Sequence, residues 1–319
     1  MNIVQFSFGS YVRWSLIACV ALLAFGLGYV AHSWVSVPFR ISCDARYSFL
    51  NPFLRCDSDV PQKQEFVAFK KELESFIQTS IASGNAKSVS VYFRDLENGP
   101  WFGIDEQALF SPASMIKLPL LVAYYKRAEV DPDVLKQRVG VQGSTLPSGA
   151  YVIDDLLRST IIDSSNDALP ILFSYLQKFY PEEDVFSETI TAMGLAASEG
   201  SEGDFLTVKR YASIYRMLYN ASFLSKEMSQ RALDLLTQTE SPQGIDDGVP
   251  AGTPVAHKFG IREQPGSLQL HDCGIVYHPG GHYILCVMTK GKDAQELSAI
   301  IRRISSMVYA EVDARSKAE

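Results

Sequence analysis

Ser114 and Lys117 stand one helical turn apart in the run Phe110-Ser111-Pro112-Ala113-Ser114-Met115-Ile116-Lys117, where Pro112 and the small residues prepare a helix start. A serine hydroxyl is a weak nucleophile until a base reaches it, and a lysine desolvated against Leu118 and Leu121 is such a base or a proton relay. The helix start also favours negative charge developing beside Ser114. A serine and lysine at this spacing also occur by chance as a helix turn with a surface lysine, so the weight falls on the company they keep. Fifty residues later stands Ile162-Asp163-Ser164-Ser165-Asn166-Asp167, and further on Val255-Ala256-His257-Lys258-Phe259-Gly260 with the pattern of a strand. A hydroxyl set between two ammonium groups passes a proton without itself carrying charge, which is what the departure of an amide nitrogen requires. Taken singly, Ser164 and Asn166 also suit the cap of a helix beginning near Asp167, and Lys258 an exposed strand charge.

These residues need elements to hold them. Phe66, Phe69, Leu73 and Phe76 recur at helical spacing between Val60 and Ile81, and Val89, Val91 and Phe93 then alternate as a strand. The turn signal Glu97-Asn98-Gly99-Pro100 returns the chain through Trp101 to Ile104. The middle of the chain is helical in pattern: Leu118 to Ala128, Val152 to Ile162, Ala168 to Phe179, Val185 to Met193, Thr207 to Leu218 and Ser225 to Thr237. Strands resume at Val255 to Phe259, Gly274 to His278 and His282 to Thr289, and a helix from Asp293 to Tyr309 closes the chain, with the charged end from Glu311 expected to fray. The expected fold is α+β: one antiparallel-type sheet of five strands flanked by N- and C-terminal helices, with an all-helical subdomain inserted between its second and third strands. Cys273 and Cys286 fall in apolar runs and read as core residues. The pair His271 and Cys273 suggests a nucleophilic arrangement that a small buried thiol explains without chemistry.

Composition excludes other classes. The 319 residues carry 29 Lys+Arg against 36 Asp+Glu, a formal charge of −7, so no general excess of cations exists to neutralise nucleic-acid phosphates. No Cys/His cluster has zinc spacing, and neither a metal nor another cofactor is expected. Trp14 to Phe39 lacks any Asp, Glu, Lys or Arg and is long enough to cross a bilayer, with Trp14, Tyr29 and Trp34 at headgroup level. The chain thus divides into a short tail (1–13), a membrane anchor (14–37), a linker (38–61), a folded domain (62–310) and a charged tail (311–319). A short tail, one anchor and a large domain suit export of that domain, and Cys43 and Cys56 flank a short segment that a disulfide would close in an oxidising compartment, which supports an extracytoplasmic domain; the other reading is two unpaired thiols in a linker.

With its three motifs in this order, the stretch from Gln62 to Tyr309 resembles the class A β-lactamases and the penicillin-binding serine hydrolases, whose signatures are SxxK, SDN and KTG. The resemblance implies that Ser114 attacks an acyl carbonyl, that Lys117 assists its deprotonation, and that Ser164 with Lys258 forms the proton path to the leaving nitrogen. It also implies that Asn166 orients the substrate amide and that the backbone N–H groups of Ser114 and Ile261 form an oxyanion hole, next to Gly260. The substrate it implies is a β-lactam or another small amide, or a peptidoglycan peptide.

Three departures bear on function. Ser165 takes the middle place of the second motif. Phe259 replaces a hydroxyl that binds the substrate carboxylate, a hydrogen bond a phenyl ring cannot donate. Arg262 lies close enough in sequence to offer a guanidinium instead, or to be a solvated loop charge. Between Met193 and Thr207 only a short Gly/Ser-rich stretch remains where class A enzymes present a Glu beside the deacylating water, with Glu199 and Glu202 as weak candidates for that base. The reading is an acylated serine hydrolase with weak deacylation. Its alternatives are a D-Ala-D-Ala peptidase of penicillin-binding type and a non-catalytic binding domain on the same fold.

Overall fold

Alternation along Ser88–Asp95 (β1) sends Val89, Val91 and Phe93 to one side of a sheet and Ser90 and Tyr92 to the other, and both sides are buried. A strand apolar on two faces must be covered on both. This computed structural model describes residues 48–50, 66–97, 99–141, 146–196, 203–241 and 244–318 of the chain. Among these residues β1 joins Trp101–Ile104 (β2), Val255–Gln264 (β5), Ser267–Val276 (β6) and Tyr283–Gly291 (β7) in an antiparallel sheet of order β2-β1-β7-β6-β5. The motif strand β5 is therefore an edge strand.

One face of the sheet packs on the helices Val67–Ala82 (α1) and Ala294–Ala318 (α8), through Phe69, Leu73 and Ile77 of the first and Leu297, Ile301 and Ile304 of the second. The other face packs on the helical block: Lys117–Ala128 (α2), Ile153–Ile162 (α3), Ala168–Phe179 (α4), Val185–Ala192 (α5), Val208–Tyr219 (α6) and Lys226–Leu236 (α7). Leu118, Leu120, Leu121, Val122, Ala123, Tyr124 and Tyr125 are all buried, so α2 is apolar around its whole circumference and is the axis of that block. Caps set the ends of its neighbours, with Asp184, Thr207 and Ser225 side chains accepting from the backbone N–H of Ser187, Arg210 and Met228.

The five-stranded antiparallel sheet, the flanking helices and the inserted block agree with the sequence reading. Five details differ. β6 starts at Ser267 and not near Gly274, because Gln269, His271 and Asp272, polar in sequence, are buried and hydrogen-bonded, Gln269 to Ser111 and Asp204 and the other two to neighbouring strands. Arg262 accordingly lies on β5 and not in a loop. The C-terminal helix does not fray at Glu311 but continues to Ala318, braced by Glu311–Arg315 and Asp313–Lys317 pairs one turn apart. Cys273 and Cys286 are core residues, as read, but they are not free thiols: they are register partners on β6 and β7 and form a disulfide. A small hairpin, Arg138–Val141 (β3) with Gly149–Val152 (β4), was not anticipated. The membrane-anchor stretch, Cys43, Cys56, Glu199 and Glu202 lie outside the described residues, among which no helix is long and apolar enough to cross a membrane.

The sheet face under α8 buries one ionic unit. His257 Nδ1 lies 3.0 Å from Asp272 Oδ1, and Asp272 Oδ2 also accepts from the Ile245 N–H at 2.8 Å. Desolvation of this buried imidazole opposes its charge, but the Asp272 and Asp246 carboxylates outweigh it and raise its pKa above the usual histidine value. The stability it adds is present in full below the unfolded-state value and is lost as pH rises through the raised one. Replacing His257 by Leu should therefore cost about 3–5 kcal/mol near pH 6, because it leaves Asp272 charged and buried. Unfolding in urea at pH 6 and at pH 9 should show that loss shrinking at the higher pH.

Candidate active site

The nucleophile candidate is set by a backbone that bends twice. Ala113 has φ +48°, and Ser114 follows it in the single 3₁₀ turn Ala113–Ile116 that leads directly into α2. Lys117, the first residue of α2, thus turns its side chain back beneath Ser114, with Nζ 3.2 Å from Ser114 Oγ. The second strained point is Ser164, with φ +51°, in the left-handed position just after α3 that glycine usually takes. A side chain there costs about 1 kcal/mol or more. What that geometry delivers is a hydroxyl between two amines: Ser164 Oγ is 3.2 Å from Lys117 Nζ and 3.0 Å from Lys258 Nζ.

Lys117 Nζ also donates to Asn166 Oδ1 at 2.8 Å and to the Ser164 carbonyl oxygen. Ser164 and Asn166 therefore do not cap α4. Asp167 holds that cap position, where its side chain makes no capping bond to the helix, and the Ser165 hydroxyl accepts from the Asp167 N–H. Lys258 comes from β5 on the far side of the cleft and is no exposed strand charge: it is fully buried, as is Lys117. Burial lowers the Lys117 pKa from 10.5 to about 8. Burial, reinforced by the nearby Lys117 charge, lowers that of Lys258 to about 7. Near neutral pH one amine can be a base while the other is an acid.

Gly260 lets β5 approach the nucleophile. A Cβ at that position would lie 2.8 Å from Met115 Cγ and 3.2 Å from the backbone N of both Ser114 and Met115, so any side chain would push the strand off the turn. Phe259 lies with its ring under the Lys258 ammonium, 4.2 Å from Nζ to centroid, as a cation–π partner. Ile261, next along the edge, is 41% exposed. Arg262 donates to Ser111 Oγ at 2.7 Å, which ties its guanidinium to the segment leading to Ser114.

Sequence reasoning missed two supports. Tyr211, fully buried on α6, donates to the Met115 carbonyl oxygen at 3.0 Å and pins the nucleophile turn from below. Gln269 links Ser111 to Asp204, which in turn pairs with Lys290 at 2.8 Å. Their signal in sequence is faint, since a tyrosine in an apolar helix stripe and a glutamine in a strand carry no spacing of their own. Among the described residues one His/carboxylate group, Asp246, His257 and Asp272, is close enough to be weighed as a cation site, but His257 Nδ1 is already engaged by Asp272 and the group reads as an ion pair.

Residues 71–312 match the beta-lactamase enzyme family. Among solved structures the chain resembles a mutant of PBP-A, an acyl-enzyme complex with penicillin G, at TM-score 0.67 and 21% identity over 80% of this chain and 99% of that one. It resembles a class A beta-lactamase from Bacteroides cellulosilyticus at TM-score 0.66 and 17% identity, covering 77% and 99% of the two chains. A beta-lactamase from Chitinophaga pinensis gives TM-score 0.65 and 19% identity over 75% and 99%. A search of curated protein sequences finds no match. At these identities the structural likeness speaks for the fold.

If Lys117 is the base for Ser114, labelling of the serine by a fluorophosphonate should speed up as pH rises from about 6 through about 8. Lys117→Arg, which keeps the charge but cannot shed a proton, should label at least about 100-fold more slowly and lose that pH limb. Labelling followed by gel fluorescence across the pH series checks both.

Proposed function

Since the chain belongs to the beta-lactamase enzyme family, we propose that it is a serine hydrolase acylated at Ser114 by β-lactams or related amides, and that it releases the acyl group slowly. The observation that carries this reading is the unbroken chain of polar contacts from Ser114 through Lys117 and Ser164 to Lys258. In the proposed reaction Lys117 takes the Ser114 proton as Oγ attacks the carbonyl carbon. Lys258, through Ser164, delivers a proton to the nitrogen as the carbon–nitrogen bond breaks. The backbone N–H groups of Ser114 and Ile261 receive the charge on the carbonyl oxygen, and Asn166 holds Lys117 and the substrate amide in line. Arg262 takes over carboxylate recognition from the hydroxyl that Phe259 replaces.

Slow release follows from what surrounds Lys117. Its hydrogen-bond partners among the described residues are Ser114, Ser164 and Asn166, with no carboxylate to activate water. Among the described residues acylation has a complete proton path and no carboxylate joins it to serve deacylation, which supports behaviour nearer to a penicillin-binding cell-wall peptidase than to a fast β-lactamase. The proposal includes attachment to a membrane through residues 14–37, with the catalytic domain on the extracytoplasmic side. Retention of the full chain in membranes washed with alkaline carbonate supports that attachment, and release into the wash contradicts it.

Intact-mass spectrometry of the full chain mixed with benzylpenicillin, beside Ser114→Ala, tests the core of the proposal. The expected result is an adduct of one penicillin on the native chain alone that persists over hours. Turnover of a chromogenic cephalosporin at ordinary β-lactamase rates would contradict slow release, and absence of any adduct would contradict acylation. Ser164→Ala should slow adduct formation by about 100-fold or more while leaving the fold intact.

A further inference from the structure

At the opposite edge of the sheet from β5, a cleft of ≈ 550 Å³ opens between β1, β2 and α6, within the range of small-molecule sites. Its walls carry an unusual charge for a chain of net charge −7: Arg94 from β1, and Lys209, Arg210 and Arg216 from α6. Lys209, Ser213 and Arg216 recur at i, i+4 and i+7 and so share one face of α6, while Arg94 is the direct cross-strand partner of Trp101 and stands on the facing wall.

None of these four cations has a carboxylate within ion-pair distance among the described residues, whereas Lys126, Arg127, Lys136 and Arg231 of the helical block are paired. Lys209 is instead held over the Trp101 indole, 4.3 Å from Nζ to centroid, and that indole stacks on Tyr92. Lys209 and Arg210 also occupy the first turn of α6, the end where the helix dipole disfavours positive charge, and no acidic residue offsets them there. Like charges gathered from two elements, unneutralised and against the local dipole, weaken the fold, and an anion seated between them removes the penalty. Three of the four are arginines, whose planar fork matches phosphate oxygens two at a time. The site is concave, which suits a compact ligand better than a flat membrane surface.

We propose that this cleft binds a small molecule bearing two or more phosphate groups, bridged between Arg94 on the sheet and Lys209, Arg210 and Arg216 on α6. The binding is independent of chemistry at Ser114, which sits beside β5, with β7 and β6 between that strand and β1.

Trp101 supplies the readout. In the full chain carrying Trp14→Phe and Trp34→Phe it is the one tryptophan left. Titration with pyrophosphate or inositol hexakisphosphate should change its fluorescence saturably, more weakly at higher salt. Arg94→Gln and Arg216→Gln should each raise the apparent dissociation constant about tenfold or more at a ligand-free thermal midpoint no lower than that of the parent chain. myo-Inositol should give no response. Absence of a saturable change with both phosphate probes overturns the proposal. So does an affinity that the arginine variants leave unchanged, or equal affinity for citrate, which would mark an unselective cationic surface. Should one arginine variant prove unstable, Lys209→Gln, on an exposed side chain, reads the same loss.

Discussion

Two ammonium groups taken out of water within reach of one hydroxyl are the interaction on which the rest of this structure depends. Lys117 and Lys258 are both buried, and Ser164 Oγ lies 3.2 and 3.0 Å from their nitrogens. Burying one charged amine is costly and burying two side by side more so, unless their protons are shared out among acceptors. Here the acceptors are the Ser164 hydroxyl and carbonyl and the Asn166 amide oxygen, and the pKa values fall to about 8 and about 7. The same desolvation that burdens the fold moves both amines into the pH range where a proton can be passed between them.

Holding that arrangement requires strain elsewhere. Ser164 accepts a left-handed backbone so that its oxygen faces both lysines, and Ala113 does the same one residue before the nucleophile. Gly260 gives up a side chain so that the strand bearing Lys258 can close on Ser114. Tyr211 fastens the nucleophile turn to the helical block, and behind Lys258 the His257–Asp272 pair ties β5 to β6 from the opposite face. These supports come from different segments of the chain, and what they share is a cleft edge that must not drift.

The division of labour between acylation and release follows from the same contacts. Attack and departure of the leaving group need one base and one acid on a common path, and hydroxyl and amine groups suffice. Hydrolysis of the resulting ester needs a second water-directed base. Among the described residues no carboxylate joins the Lys117 cluster, and Arg262 and Asp204 are engaged with Ser111, Gln269 and Lys290 at the cleft's far end.

The sequence by itself determined the order of elements, because apolar periodicity changes from two to near four along the chain, and β1, α2, α4, α5 and α6 stand within a residue or two of where that pattern places them. It also singled out Ser114, Lys117, Ser164, Asn166 and Lys258, through three motifs standing in the order of the family that the chain resembles. Only the tertiary structure decided that Lys258 is buried beside Ser164 and is not a surface charge, because that depends on packing between segments ninety-four residues apart. It decided too that Gln269, His271 and Asp272 belong to a strand, since a polar residue reads as loop until its buried partners are known, and that Cys273 meets Cys286, since register alone brings two cysteines opposite one another. Periodicity is a local property of the chain. The partner that satisfies a buried charge is not.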